Sequence, residues 1–162
     1  MSAPTREFVD ERGWPIVDRL LADAFRQLVH LDGVELWCGT DLRADTGPAD
    51  DGLVEQAERW GDEPLEEELP AIRVQRLPGG GINADGYEDL NRIEVISYGR
   101  TRSESDSLTA QIRGVMADLS DEEWAGVELD RIREDTGPGR IQDINRDVRA
   151  VPTVWRVTVR QQ

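Results

Sequence analysis

The chain has 162 residues, 34 of them acidic and 19 basic, which gives a formal net charge of -15. That length is sufficient for one domain with its own core, and the negative charge argues against nonspecific binding of nucleic acid through a basic surface. The single cysteine, Cys38, and the single histidine, His30, exclude an internal disulfide and leave any zinc site short of its usual ligands. We therefore predict a packing role for Cys38 and no cofactor.

The N-terminal part of the chain predicts a helix followed by a short strand. Trp14-Pro15 marks the start of the helix, because proline is tolerated in a first turn. Apolar residues then recur at helical spacing, and Asp32-Gly33 ends the segment before a strand over residues 34–38. No apolar run has the length of a signal peptide or a membrane span, so we expect synthesis as a soluble cytoplasmic protein.

Residues 41–68 form an acidic segment. They contain eleven acids and two bases and so hold nine of the fifteen excess negative charges. Turn-forming sequences such as Asp45-Thr46-Gly47-Pro48 interrupt the segment. The simpler interpretation is a solvated segment that projects from the fold. The alternative is an acidic surface that faces a negatively charged partner without binding it.

Residues 71–77 and 92–98 predict the two antiparallel strands of one hairpin, because apolar and polar side chains alternate along both. Between them, Pro78 and the triplet Gly79-Gly80-Gly81 predict a loop that ends the first strand. This triplet is not a phosphate-binding loop, since no Gly-Lys-Ser/Thr sequence follows and the next element is a strand. A binding or assembly role for the loop is a hypothesis.

A strand, a turn and a helix follow one another directly between residues 91 and 119. Gly99 ends the strand, and the hydroxyl groups of Thr101 and Ser103 are candidate helix N-caps, each three residues before an acid. The helix then carries a single apolar stripe, which consists of Leu108, Ile112, Val115, Met116 and Leu119.

The last part of the chain predicts two further strands. Residues 120–124 suggest a capped turn that carries Trp124 into the core, and residues 127–134 alternate with a change of register at Ile132 that predicts a bulge. A loop over residues 135–140 and a polar extended segment over residues 143–149 come next. Residues 151–160 predict a strand paired inside the sheet, with one face formed by Thr153, Trp155, Val157 and Val159.

Strands in the order hairpin, helix, hairpin predict an α+β fold with a mixed, mainly antiparallel sheet and helices packed on one face. We predict a single domain over residues 1–162. Catalysis is not indicated, because acids such as Asp121 and Glu122 have no placed partner. The serines that begin the second predicted helix also have no histidine nearby in sequence to activate them. The residues therefore predict that the protein is not an enzyme.

Four stretches of the second half of the chain carry a resemblance to a known family. They are the strand Arg92-Ile93-Glu94-Val95-Ile96-Ser97-Tyr98-Gly99, the turn Arg100-Thr101-Arg102-Ser103-Glu104-Ser105, the helix Leu108-Thr109-Ala110-Gln111-Ile112-Arg113-Gly114-Val115-Met116 and the closing strand Val154-Trp155-Arg156-Val157-Thr158-Val159. Through them, residues 69–162 resemble the tail-terminator proteins of long-tailed bacteriophages, the siphophage group with the minor tail protein U-like fold. On this resemblance the acidic segment at about 41–68 is an insertion in a tail-terminator-like domain.

The resemblance implies a structural virion protein of the tail and neck that is made in the host cytoplasm. Members of that family form hexameric rings that stop tail-tube polymerisation and join the tube to the head-side connector. It therefore implies a homo-hexamer whose partners are the tail-tube protein and the head-tail connector protein. On this resemblance DNA is expected to pass through the lumen without specific binding, because a net negative protein would repel phosphate and let the DNA slide. The acidic segment is then expected to face either the channel or the outer rim.

Three alternatives stay open from the sequence. A head-completion or head-tail adaptor protein of the same neck would contact the portal instead of the tail tube. A tail-tube subunit would polymerise into tubes when purified. A small cytoplasmic enzyme or binding module would have a defined pocket with convergent polar groups.

The candidate contact residues are arginines and loop glycines, because a ring requires repeated contact between two different surfaces of each subunit. They are Arg100 and Arg102 at the strand-to-helix turn, Gly79, Gly80 and Gly81 in the hairpin loop, and Arg140, Arg146 and Arg149 in the late polar segment. The simpler interpretation of any one of these arginines is a solvated surface side chain.

Overall fold

The computed structural model describes residues 6–40, 69–139 and 149–162. After a short 3-10 turn at Arg6–Phe8, the helices are α1 (Val17–Leu28) and α2 (Arg102–Leu119), and the strands are β1 (Trp37–Gly39), β2 (Ala71–Ile82), β3 (Glu88–Gly99), β4 (Glu122–Trp124), β5 (Val127–Thr136) and β6 (Arg149–Arg160). The acidic segment at 41–68, together with Arg140 and Arg146, lies outside the described residues.

The six strands form one sheet in the order β1-β2-β3-β6-β5-β4. The short edge strand β1 pairs with β2 in parallel, and the other four pairings are antiparallel. This arrangement confirms the predicted α+β fold with a mixed, mainly antiparallel sheet. The strand predicted at residues 151–160 is confirmed as β6, which lies inside the sheet between β3 and β5.

Both helices pack against the same face of the sheet and form the main core with it. Burial follows the predicted periodicities, since the α2 stripe and alternate residues of β3 and β6 lie in this one cluster. Its fully buried members include Leu20, Phe25, Ile72, Ile93, Leu108, Ile112, Met116, Leu129 and Val157. The opposite face, which we call the far face, carries a smaller apolar cluster of Leu69, Ala71, Ile96, Tyr98 and Ala150.

Three buried hydroxyl groups also join the first half of α2 to the sheet. The Ser97 hydroxyl of β3 lies 2.9 Å from Thr109 Oγ1, which donates to the Ser105 carbonyl oxygen at 2.8 Å. Ser105 Oγ donates in turn to the carbonyl oxygen of Arg149 in β6 at 2.7 Å. Because all three hydroxyl groups are paired, their burial leaves no unmet hydrogen bond.

The β2–β3 hairpin differs from the prediction in its loop. The glycine triplet does not end the first strand: Gly80 pairs with Asn91 and Gly81 with Leu90, after a register shift that follows Leu77. Pro78 and Gly79 are therefore the extra residues of a bulge inside β2, and the strand continues through the rest of the triplet. All three glycines have positive φ, and a Cβ at Gly80 would collide with the Leu90 carbonyl oxygen, so this bulge requires glycine.

Other boundaries shift by a few residues. The first helix begins at Val17, because Pro15 is already paired with Val9 in an isolated bridge, and β1 starts later than the predicted strand at 34–38. The predicted capped turn at 120–124 contains the short strand β4. β5 extends through Thr136 into the predicted loop, and its register shift between Leu129 and Arg131 confirms the bulge.

Candidate assembly surfaces

The turn between β3 and α2 holds two of the predicted contact arginines. Thr101 is the N-cap residue, and its hydroxyl oxygen accepts a hydrogen bond from the Glu104 amide at 3.1 Å. Glu104 reaches back to the Arg100 amide at 3.0 Å and to the Arg100 guanidinium at 3.2 Å. Arg102 is 72% exposed, with the Asp106 carboxylate 3.9 Å away. The cap predicted at Thr101 is thus confirmed, and it fixes the direction in which Arg100 leaves the turn.

Arg149 lies beside this turn. It is the first residue of β6 and the register partner of Gly99, the last residue of β3. Its side chain is half-buried, and its carbonyl oxygen accepts the Ser105 hydroxyl described above. The structure therefore brings Arg100, Arg102 and Arg149 together at one end of the sheet, although they are up to 49 positions apart in the chain. We call these three residues the turn cluster.

The glycine triplet is at the other end of β3. From Asn91, the partner of Gly80, to Gly99 the strand covers eight steps, or about 27 Å. The predicted contact residues therefore do not form one surface. Arg140 and Arg146, which lie outside the described residues, stay predictions.

The hairpin tip beyond the triplet is an exposed apolar feature that the sequence did not indicate. Ile82 is 54% exposed and Tyr87 is 72% exposed. Asn83 orders the turn between them, because its side-chain oxygen accepts hydrogen bonds from the Tyr87 and Glu88 amides at 3.0 and 3.3 Å. Tyr87 lies among turn-forming residues, where an aromatic side chain can be either buried or exposed. Its exposure could therefore not be predicted from the sequence.

A row of three arginines on the far face is the second feature that the sequence could not show. Arg156 in β6 is the register partner of both Arg92 in β3 and Arg133 in β5. Directly opposed residues of antiparallel strands have side chains on the same face, about 5 Å apart. Their chain neighbours Ile93, Val157 and Ile132 lie in the main core, which places the arginines on the far face. We call Arg92, Arg133 and Arg156 the arginine row.

Cys38 is buried in β1 and is not poised for reaction. Burial raises the pKa of its thiol to about 12, an effect that the positive charge of Arg26 only partly opposes. Arg26 donates from Nη2 to the Cys38 carbonyl oxygen at 2.7 Å. At neutral pH the thiol stays protonated and is a poor nucleophile. Burial of the side chain against the main core supports the predicted packing role for Cys38.

Within residues 6–40, 69–139 and 149–162, no three histidine, cysteine or acidic side chains are grouped so that they could hold a metal ion, and no helix is long and apolar enough to cross a membrane. A shallow cavity of about 270 Å³ lies between α2 and the start of β6. Its charged lining residues, Asp106 and Arg113, are exposed at its edge, so it does not have the enclosed, convergent polar groups of a ligand site.

Comparison with known proteins assigns the family. A family model described as phage tail termination protein matches residues 13–162, which is most of the chain. The chain belongs to this family. The tail termination family is structural and non-enzymatic, so this member is a structural component of a phage virion and acts together with other virion proteins. The resemblance drawn from residues 69–162 is confirmed, and so are the predictions of a virion protein and of no enzyme.

Two further comparisons accompany the family match. Among solved structures, a chain of the "Virion of native gene transfer agent (GTA) particle" is similar, with 13% sequence identity and a TM-score of 0.45. The alignment covers 69% of this tail termination family member and 87% of that chain. None of the curated protein sequences compared with the chain matches it.

Proposed function

We propose that this tail protein forms a closed hexameric ring that ends the tail tube and joins it to the head-side connector in the neck. The match to the tail termination family over residues 13–162 carries the proposal. To end a tube, a protein must bind its last layer through one surface and present a different surface on the other side. A ring meets this requirement with one small chain, because every subunit repeats the same two surfaces around a common axis.

The positions of the exposed features support two such surfaces. The turn cluster lies at one end of β3, and the hairpin tip with Ile82 and Tyr87 lies at the opposite end. One end presents arginines with Glu104 and Asp106 beside them, and the other exposes Ile82 and Tyr87, so the two ends suit different partners. In the proposed assembly, one end contacts the tail-tube protein and the other contacts the connector.

The net charge supports passage of DNA through the ring. A protein with a net charge of -15 repels the phosphate backbone over the distance that salt leaves unscreened, which is about 8 Å at physiological ionic strength. The proposed lumen therefore lets DNA slide without specific binding, and the acidic segment at 41–68 faces either this lumen or the outer rim. Lumen-facing residues identified in an assembled particle test this step, and a lumen rich in arginine and poor in acids would refute it.

The ring itself is tested on the purified protein. We expect light scattering to give a mass of several subunits and negative-stain images to show closed rings of uniform diameter. Added to tail tubes, the protein should cap their ends and stop further growth. Tubes formed by the protein alone would identify a tail-tube subunit instead, and binding to the portal without binding to tail tubes would identify an adaptor.

The turn cluster can be tested in the same assay. Arg100→Glu combined with Arg102→Glu is expected to leave the monomer folded, because Arg100 and Arg102 are 46% and 72% exposed. If the cluster is a contact, the capping of tail tubes is lost. Arg19→Glu on the exposed surface of α1 makes the same type of charge change elsewhere and is the matched control. Equal capping by both proteins would remove the turn cluster from the contact.

A further inference from the structure

The Asp135 carboxylate lies beside the arginine row, with Oδ1 2.9 Å from Arg156 Nε and Oδ2 3.9 Å from Arg92 Nη2. Arg133 is exposed and has no ion-pair partner among residues 6–40, 69–139 and 149–162. Glu94 lies two residues from Arg92 on the same face of β3, so the described residues place two carboxylates near three guanidinium groups. Like charges that are directly opposed across strands destabilise a sheet, so a further anionic group brought to the row would stabilise it.

The surface around the row has the composition of a protein contact. Leu90 and Val154 lie on the same far face and are half-buried. Arginine next to aliphatic side chains is typical of protein interfaces, where the planar guanidinium group binds carboxylates in a bidentate manner. Across three strands the row spans only about 10 Å, which is short for a track along a DNA backbone. The net charge of -15 further disfavours DNA as the anion.

The chain itself carries a suitable anionic surface at another position. Four exposed acids lie close together in sequence at the end of α2 and in the edge strand β4: Asp118, Asp121, Glu122 and Glu123. In the part of the chain that the structure describes, none of them has an ion-pair partner. We call these four residues the acidic corner.

Glu123 of the acidic corner cannot pair directly with Arg133 of its own subunit. Glu123 is the register partner of Glu128, and from Glu128 to Arg133 β5 covers five steps, or about 17 Å. That distance exceeds the reach of an arginine and a glutamate side chain for a direct pair. A neighbouring subunit can bring its corner to the row without this restriction.

We propose that the arginine row of one subunit binds the acidic corner of the next copy of the chain, and that this pairing is the subunit contact of the ring. The inference rests on the proposed ring and names the surfaces that close it. Row and corner are separate surfaces, which permits a head-to-tail contact in which each copy uses its row on one side and its corner on the other. A two-fold dimer could instead pair row with corner twice, and a mass of two subunits by light scattering would overturn the ring contact.

Charge reversal on each side separately provides the test. The row variant carries Arg133→Glu and Arg156→Glu, and the corner variant carries Glu122→Arg and Glu123→Arg. Each variant alone places like charges across the contact, so the concentration for half-assembly should rise by about a hundredfold or more. A variant with Arg133→Glu alone guards against misfolding, since this side chain loses no partner among the described residues. Circular dichroism and thermal unfolding check that each monomer is folded.

An equal mixture of the row variant and the corner variant gives the decisive result. The glutamates of the first variant then face the arginines of the second, and the native row of the second faces the native corner of the first. We expect the mixture to form rings by light scattering and negative stain, although neither variant does so alone. A single chain with all four substitutions should also assemble. Arg19→Glu and Glu35→Arg, at exposed positions outside both surfaces, are the matched controls and should assemble like the wild type.

The outcomes separate the inference from the proposed function. If the wild type forms no ring, the proposed function fails. If the wild type forms rings and the row variant forms them equally well, the ring stands and the inference is wrong. If the row variant loses the ring and the mixture does not restore it, the row binds something other than the corner. Retention of duplex DNA by the wild type, lost in the row variant at the same salt concentration, would assign the row to nucleic acid and would also overturn the inference.

Discussion

The ion pair between Arg76 and Asp89 at the base of the hairpin gives a stability prediction whose size follows from the geometry. The two guanidinium nitrogens of Arg76 donate to the two Asp89 carboxylate oxygens at 3.1 and 2.9 Å. The exposed fraction of the side chain is 42% for Arg76 and 6% for Asp89. Asn91 donates to Asp89 Oδ2 at 3.2 Å, while its own side-chain oxygen is buried without a partner in the described part of the chain. The pair is therefore asymmetric: the anion is buried and the cation is not.

This asymmetry determines which substitution costs more. Arg76→Gln leaves a buried carboxylate with the Asn91 amide as its main donor, and breaking a buried pair costs about 3 to 5 kcal/mol. The exposure of Arg76 reduces this to about 2 to 3 kcal/mol. Asp89→Asn frees a guanidinium group that reaches water, and the new amide can donate to the orphaned Asn91 oxygen, so its cost is about 1 kcal/mol. The double variant should lose less than the sum, with a coupling of about 1 kcal/mol.

Urea or thermal unfolding of the wild type, the two single variants and the double variant measures these free energies. A change of 1 kcal/mol corresponds to about 2 to 4 °C in Tm for a chain of this size. The exposed bidentate pair of Arg113 and Glu134, with distances of 2.8 and 3.0 Å, is the matched control. Arg113→Gln should cost less than about 1 kcal/mol. The reasoning is refuted if Arg76→Gln costs less than Asp89→Asn, or if the two effects simply add.

Three further predictions concern the bulge, the helix cap and the buried thiol. Gly80→Ala should destabilise the protein by about 2 to 4 kcal/mol in urea unfolding, because φ at Gly80 is +75° and the new methyl group meets the Leu90 backbone. Gly114 in α2 has open space around it and is the control, and Gly114→Ala should stabilise the protein by about 0.5 to 1 kcal/mol. Thr101→Ala should cost about 1 kcal/mol in the same assay, and Thr101→Ser should retain most of the cap; equal loss in both would disprove a role for the hydroxyl group. The pKa of the Cys38 thiol is about 12 in the folded protein against an ordinary value of 9.0, so the unfolded chain releases its proton first and stability should fall as pH rises from 9 towards 12. A Cys38→Ala variant should lack that part of the slope, and an alkylating reagent at pH 8 should modify the thiol of the wild type in urea but not in the native state.

The sequence predicted most reliably those elements whose pattern is repeated over many residues. α2 and β6 carry one apolar face over several turns or strand steps, so their type and buried face were predicted correctly. The cap at Thr101 was also predictable, because the hydroxyl group and the acid three residues later act locally. The glycine triplet was misassigned because a bulge and a loop both require glycine, and only pairing with β3 distinguishes them.

The candidate surfaces were harder to predict. Arg100 and Arg102 could be chosen from their turn, but whether Arg149 lies beside them depends on the pairing of β6 with β3. The arginine row depends on two registers at once, since Arg92, Arg133 and Arg156 are separated by 41 and 23 positions in the chain. Side-chain alternation gives the face on which a strand residue lies, but it does not give the neighbour across the strand gap.

The chain of hydroxyl groups at Ser97, Ser105 and Thr109 fixes the orientation of α2 on the sheet. These directional hydrogen bonds hold the first half of the helix, so a rotation or a slide by even part of a turn would break them. In the second half, Arg113 pairs with Glu134 of β5, and Val115, Met116 and Leu119 pack in the main core. A load applied at the Arg100 turn would therefore pass along α2 into β3, β5 and β6 together.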